Sequence, residues 1–195
     1  MIIYFHPTIF GRYNTPSSNK PYWSILAGFY ASQNYVVVLP DFIGFSDSGD
    51  PHPYIVYPKQ VVACAVHALN NVYDYIKSYF PLNNGTFNVY SVGYSEGASY
   101  SIWMSKCLSQ GSCSEMDINL NVNYNYRKAA GLEGAYDLSG IMKLFLLNDV
   151  GKHIDNNAYQ IEYQIITDEG KPGFGALTLL SYLTYTLNQQ NSFPK

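Results

Sequence analysis

Short runs of β-branched and aromatic residues alternate along this chain with stretches whose apolar residues recur at helical spacing. The predicted strands cover residues 1–5, 35–40, 87–92 and 127–132, and the predicted helices cover residues 22–32, 58–80 and 98–108. This alternation predicts an α/β fold with a mostly parallel sheet flanked by helices. The run at 35–40 is apolar on both faces, which is typical of a central strand covered by helices.

The pattern changes after Gly134. Residues 138–150, 158–167 and 175–187 have helical spacing with no strand-like run between them. We therefore predict a sheet-based core over residues 1–136 and an incomplete helical cap or lid segment over residues 137–195. The alternative is that the later helices simply cover the sheet.

The stretch from Gly93 to Gly97 has a serine, Ser95, between a predicted strand and a predicted helix. A Gly-x-Ser-x-Gly sequence in that context is the pattern of a nucleophile elbow, a sharp turn that presents a serine hydroxyl. Gly93 and Gly97 are expected there because bulky side chains two residues away would make the strand and the helix collide. The alternative is a glycine-rich turn with an ordinary serine.

Two backbone amides are candidates for binding the oxyanion of such a reaction. Ligands of open parallel sheets bind beyond the carboxyl ends of the strands, where both the Ser95 turn and the loop after the first strand are expected. The Glu96 N–H begins the helix and points toward a developing oxyanion, while its side chain is expected to point away from the pocket. Thr8 is the natural second donor because Pro7 has no N–H.

Length and charge narrow the class of protein. The chain has 195 residues with 47% hydrophobic content, enough for one domain with a sizeable core. A net charge of −3 without a basic run argues against a nucleic-acid partner and gives no sign of binding to anionic membranes. No apolar stretch approaches the length of a membrane span. The oligomeric state stays open.

The three cysteines can form at most one disulfide bond within the chain. Cys107 and Cys113 flank a short polar stretch and could close a small disulfide, which would favour a secreted or extracellular protein. Two reduced thiols are the alternative. Cys64 and His67 fall within the apolar helical run at 58–80, where we expect both on the buried face. The cysteine spacing does not match a metal site.

Residues 38–48, followed by His52-Pro53-Tyr54, resemble the α/β-hydrolase superfamily, and more narrowly its secreted lipase/esterase-like branch. Residues 93–97 match the elbow of that family, and residues 134–140 resemble the segment leading into its cap. The resemblance implies a serine hydrolase that cleaves small-molecule or lipid esters through an acyl-enzyme on Ser95. It also implies oxyanion-binding amides of Thr8 and Glu96, and no metal or organic cofactor.

The resemblance implies further that Asp41 and His52-Pro53-Tyr54 are structural or pocket-lining residues. The chain departs from the family at Pro7, where a glycine is usual, and more mildly at Ser46. Because the family orders its triad as Ser, acid, His, the base should follow Ser95. His153 is the one histidine that does, and it falls in a helical stretch that follows no strand.

We therefore expect the catalytic acid and histidine outside this chain. The first strand resembles the third strand of the family, so the chain would hold the equivalents of strands three to six and be an internal fragment. Weak or no turnover is expected from these residues alone. Two other functions remain open, a peptidase of the same fold and an inactive homologue that binds a ligand or partner through the cleft.

Overall fold

The computed structural model describes residues 1–18, 20–49, 52–80, 86–109 and 119–136, and the first compact unit of the chain is Met1–Gly134. The elements, in chain order, are β1 Ile2–Phe5, α1 Pro21–Ala31, β2 Val37–Val38, α2 Pro58–Tyr79, β3 Phe87–Tyr94, α3 Glu96–Ser109 and β4 Tyr124–Leu132. Two short 3-10 turns lie at Pro16–Ser18 and Tyr54–Val56. Every strand and helix predicted within the described ranges is present.

The strands form one parallel sheet in the order β2-β1-β3-β4, which confirms the α/β prediction. Phe5 of β1 pairs with Gly93 of β3, and Gly93 pairs with Gly131 of β4. The three strands therefore end at the same edge of the sheet. The loop after β1 and the turn after β3 leave from that edge side by side.

The prediction of a central strand at residues 35–40 is wrong for the described sheet. Only Val37 and Val38 pair with β1, and β2 lies at the edge of the sheet. Neither valine is fully buried. An apolar run indicates burial on both faces but carries no information about which strands lie on either side of it.

Strand β1 is buried on both faces. Ile3 and Phe5 belong to the larger core cluster, together with buried residues of α2 and α3. Ile2 and Tyr4 point to the opposite face and pack with Trp23 of α1. Burying one such side chain contributes about 1.5–3 kcal/mol of transfer free energy, so β1 anchors both layers of helices to the sheet.

Helix α2 buries one stripe of side chains, and Cys64 and His67 lie outside it. The stripe consists of Val61, Val62, Ala65, Val66, Leu69, Tyr73 and Ile76. Cys64 and His67 are both exposed, so the expectation that they face the core is wrong. The 3.6-residue period of the helix turns these two positions away from the stripe, although their immediate neighbours are buried.

Three other expectations concern residues outside the described ranges. The helices at 138–187, the cap segment 137–195 and Cys113 all lie there and stay predictions. Cys107 is disulfide-bonded, while Cys64 is a free thiol. Among the described helices, none combines the length and the apolar character needed to cross a bilayer.

Candidate active site

Ser95 occupies the single-residue turn between β3 and α3, and its backbone has a φ of 54°. Its N–H donates to the carbonyl of Leu132 at 2.9 Å, and its own carbonyl accepts from the N–H of Ala98 at 3.1 Å. The residue is half-buried. A left-handed backbone costs a non-glycine residue about 1–2 kcal/mol, and such strain is concentrated at functional sites.

The two glycines flanking this turn lie where no side chain fits. A Cβ on Gly93 would lie 2.0 Å from the carbonyl oxygen of Gly97. A Cβ on Gly97 would lie 2.1 Å from the carbonyl oxygen of Phe5. Strand β3, helix α3 and the end of β1 therefore meet at backbone contact distance. This close approach holds Ser95 at the carboxyl edge of the sheet, next to the loop after β1.

Thr8 and Glu96 each present a backbone N–H at this edge. None of the hydrogen bonds within the described residues uses either amide as a donor. The Glu96 amide is among the first of α3, which have no acceptor inside the helix. Positive helix-terminal charge at this position favours an anion. The role of the two amides in binding an oxyanion stays a proposal.

His6 fixes the loop that carries Thr8. The ring is fully buried and stacks on Phe42, with the two ring centroids 3.7 Å apart. Its Nδ1 lies 2.7 Å from the carbonyl oxygen of Pro7, and its Nε2 lies 3.2 Å from the carbonyl oxygen of Asp41. Burial lowers the pKa of His6, which favours the neutral ring. Because a neutral ring has a single N–H, it donates to only one of these two carbonyl oxygens. None of the described peptide bonds is cis.

The Asp41 carboxylate organises a neighbouring turn. Its Oδ1 accepts the backbone N–H of Ser17 at 2.9 Å, and its Oδ2 accepts the Ser17 hydroxyl. Ser17 belongs to the 3-10 turn Pro16–Ser18. The contacts of Asp41 therefore tie the loop after β2 to the loop after β1.

One polar contact at this edge was not predicted from the sequence. The Glu96 side chain is buried, with 2% of the residue exposed. Its Oε1 lies 2.5 Å from Nε2 of His52 and accepts the Tyr100 hydroxyl, also at 2.5 Å. His52 and Glu96 are 44 residues apart in the chain, so no local spacing connects them.

Neither described histidine next to this turn presents a ring nitrogen to Ser95. Both nitrogens of His6 face carbonyl oxygens, and His52 uses Nδ1 toward the carbonyl of Ile43 at 2.8 Å and Nε2 toward Glu96. His153 lies outside the described residues. The expected catalytic histidine and acid therefore stay predictions. Among the described side chains, no three of the metal-binding types gather into a possible metal site.

Known proteins resemble this chain in fold but not closely in sequence. No protein-family model matches it, and no characterised protein is similar enough in sequence to count as a relative. A crystal structure from Legionella pneumophila, provisionally described as a hydrolase, superposes with a TM-score of 0.63 at 21% identity, covering 95% of this chain and 42% of its own. The rice cell wall degrading esterase LipA from Xanthomonas oryzae gives 0.50 at 24% identity, covering 74% of this chain and 35% of its own. These likenesses show an α/β-hydrolase-like fold, and this chain spans less than half the length of either protein.

Proposed function

We propose that this chain carries the nucleophile and the oxyanion-binding amides of a serine hydrolase that cleaves carboxylic esters. The observation that carries the proposal is the backbone of Ser95. A half-buried serine with a φ of 54° lies at the carboxyl edge of a parallel sheet and at the start of a helix. Two backbone amides without acceptors in the described structure lie at the same edge. The fold shared with a described esterase supports the choice of reaction.

In the proposed reaction the Ser95 hydroxyl attacks the ester carbonyl carbon while a histidine outside the described residues takes its proton. The Glu96 and Thr8 amides donate to the oxyanion of the tetrahedral intermediate. Removing one such donor typically lowers kcat by about 100- to 1000-fold. The intermediate then expels the alcohol, which receives the proton from the histidine. Water hydrolyses the acyl-enzyme and restores Ser95, so no cofactor takes part.

A fluorophosphonate probe tests the nucleophile. We expect the intact natural protein to be labelled at Ser95 and Ser95→Ala to lose both labelling and ester hydrolysis. Ser109→Ala is the matched control because Ser109 lies exposed at the far end of the same helix. It should label like the wild type. A folded intact protein that resists the probe, or a Ser95→Ala variant that is still labelled, would overturn the proposal.

The same protein also allows the scissile bond to be tested. An ester and an anilide with the same acyl group should differ strongly in turnover, with the ester preferred. Equal or better cleavage of the anilide would favour a peptidase that uses the same Ser95 nucleophile.

A further inference from the structure

The residue that follows the proposed nucleophile has a buried carboxylate side chain. Glu96 and Tyr100 are buried in the first turns of α3, and the Tyr100 hydroxyl donates to Oε1 of Glu96. His52 reaches the same oxygen from the loop between β2 and α2. The other oxygen, Oε2, is buried with no hydrogen-bond partner among the described residues. Burying a carboxylate costs free energy unless hydrogen bonds or an opposite charge compensate for it. The contacts of Tyr100 and His52 with Oε1 offset part of this cost.

The hydrogen-bond chemistry of His52 places one proton in the contact with Glu96. A carbonyl oxygen only accepts, so Nδ1 of His52 carries the hydrogen that it donates to Ile43. The 2.5 Å contact between Nε2 and Oε1 then needs a second proton, on either the imidazole or the carboxyl group. With that proton the contact is a charge-assisted or strong neutral hydrogen bond. Without it, two lone pairs face each other.

The loop that presents His52 is packed to hold the ring in place. Phe45 contacts the His52 ring with centroids 4.6 Å apart, and Phe42 stacks parallel to it at 5.9 Å. Gly44 has a φ of 93°, and a Cβ there would lie 2.2 Å from the backbone nitrogen of His52. The loop therefore folds back on itself at Gly44. From this loop the His52 ring reaches α3 at Oε1 of Glu96.

The residue that receives this contact is the one whose amide is proposed to bind the oxyanion. The Glu96 side chain and N–H belong to one residue, and that residue directly follows Ser95. We propose that His52 is a positioning residue: by binding the Glu96 side chain it holds the first turn of α3, and with it the Glu96 N–H and Ser95, in the geometry that the transition state needs. This inference rests on the function proposed above. A displacement of about 1 Å at such a site can cost about 100-fold in rate.

The first test is His52→Phe in the intact natural protein, which keeps the ring packing against Phe42 and Phe45 but removes both hydrogen bonds. With one soluble ester we expect kcat to fall about 10- to 100-fold while KM changes little, because the loss falls on the transition state. His67→Phe is the matched control, since His67 is exposed on α2. It should leave kcat and KM unchanged.

The second test is rescue with a side chain that does not titrate. His52→Gln can donate to the Glu96 carboxylate without an ionisable proton, so it should recover most of the lost kcat. A His52→Gln variant that is as slow as His52→Phe would contradict a role for the hydrogen bond to Glu96.

These outcomes separate this inference from the function that it rests on. A wild type that is neither labelled nor active overturns both. An active wild type whose His52→Phe variant keeps full kcat overturns only the positioning role. So does a His52→Phe variant whose urea midpoint and kcat fall together without rescue by His52→Gln, because the contact would then be structural.

Discussion

The first turn of α3 lies so close to the end of β1 that a Cβ on Gly97 would be 2.1 Å from the carbonyl oxygen of Phe5. The carbonyl oxygen of His6 would be only 2.5 Å away. Both contacts are with backbone atoms, which cannot rotate out of the way as a flexible side chain can. This contact joins the strand whose loop carries Thr8 to the helix whose first residue is Glu96.

Gly97→Ala should therefore move the helix away from β1. We expect the free energy of unfolding to fall by about 1–3 kcal/mol, as in other overpacked interiors, and ester hydrolysis to be largely lost. Urea unfolding and kinetics on the intact protein measure the two effects. Gly28→Ala is the control, because Gly28 is exposed in α1 and a Cβ there meets nothing within 4 Å. That variant should gain about 0.5–1 kcal/mol; a Gly97→Ala protein as stable as Gly28→Ala would contradict the close contact.

The left-handed backbone of Ser95 predicts a reversed ranking of alanine and glycine. Ser95→Gly should be more stable than Ser95→Ala by about 1 kcal/mol, since glycine adopts a φ of 54° without a Cβ penalty. Ser24, exposed in the interior of α1, provides the comparison. There the glycine variant should be the less stable one by a similar amount. Urea midpoints of the four variants decide the matter, and the same order at both sites would count against strain at Ser95.

A small network of buried and partly buried hydroxyl groups joins β3, β4 and α3. Ser91 Oγ lies 2.7 Å from the hydroxyl of Tyr126 and accepts from Ser101 Oγ at 2.9 Å. Tyr126→Phe would remove one hydroxyl group and with it one hydrogen-bond partner of Ser91 Oγ. We therefore expect the free energy of unfolding to fall by about 1–3 kcal/mol. Tyr75→Phe is the matched control, because Tyr75 is 68% exposed. If both variants unfold at the same urea concentration, the network contributes nothing measurable.

Burial of Tyr4 predicts a loss of stability in alkali. Burial, with smaller effects of Tyr22, Tyr30 and Tyr94, raises the pKa of Tyr4 from 10.0 to about 12. The folded protein therefore holds this proton more tightly than the unfolded chain does. The stabilisation is complete below pH 10 and is lost as the pH rises through about 12.

Urea unfolding at a series of pH values tests this assignment. The free energy of unfolding should decline above pH 10, and in Tyr4→Phe the decline should be shallower than in wild type. Tyr75→Phe, which removes an exposed phenol, should follow the wild-type curve. A Tyr4→Phe curve parallel to wild type would assign the alkaline loss to other groups, among them Tyr124, whose pKa burial also raises to about 12.

The local pattern of the chain was enough to locate the strands and helices and the serine between β3 and α3. Strand and helix periodicities depend on neighbouring residues, and a Gly-x-Ser-x-Gly turn needs only its own five residues. The same local pattern failed for the run at 35–40. The position of a strand in a sheet depends on which other strands it pairs with, and an apolar run does not encode that choice.

The local sequence pattern could not predict contacts between side chains from distant segments. His52 and Glu96 were both prominent in the sequence, yet nothing in their spacing predicted a contact 2.5 Å long. The pairing exists because the loop folds back at Gly44 and helix α3 begins directly after Ser95. Thus the sequence by itself determined the order of elements and the place of the candidate nucleophile, which short-range chemistry controls. Only the tertiary structure decided which polar groups face one another, because long-range packing makes those contacts.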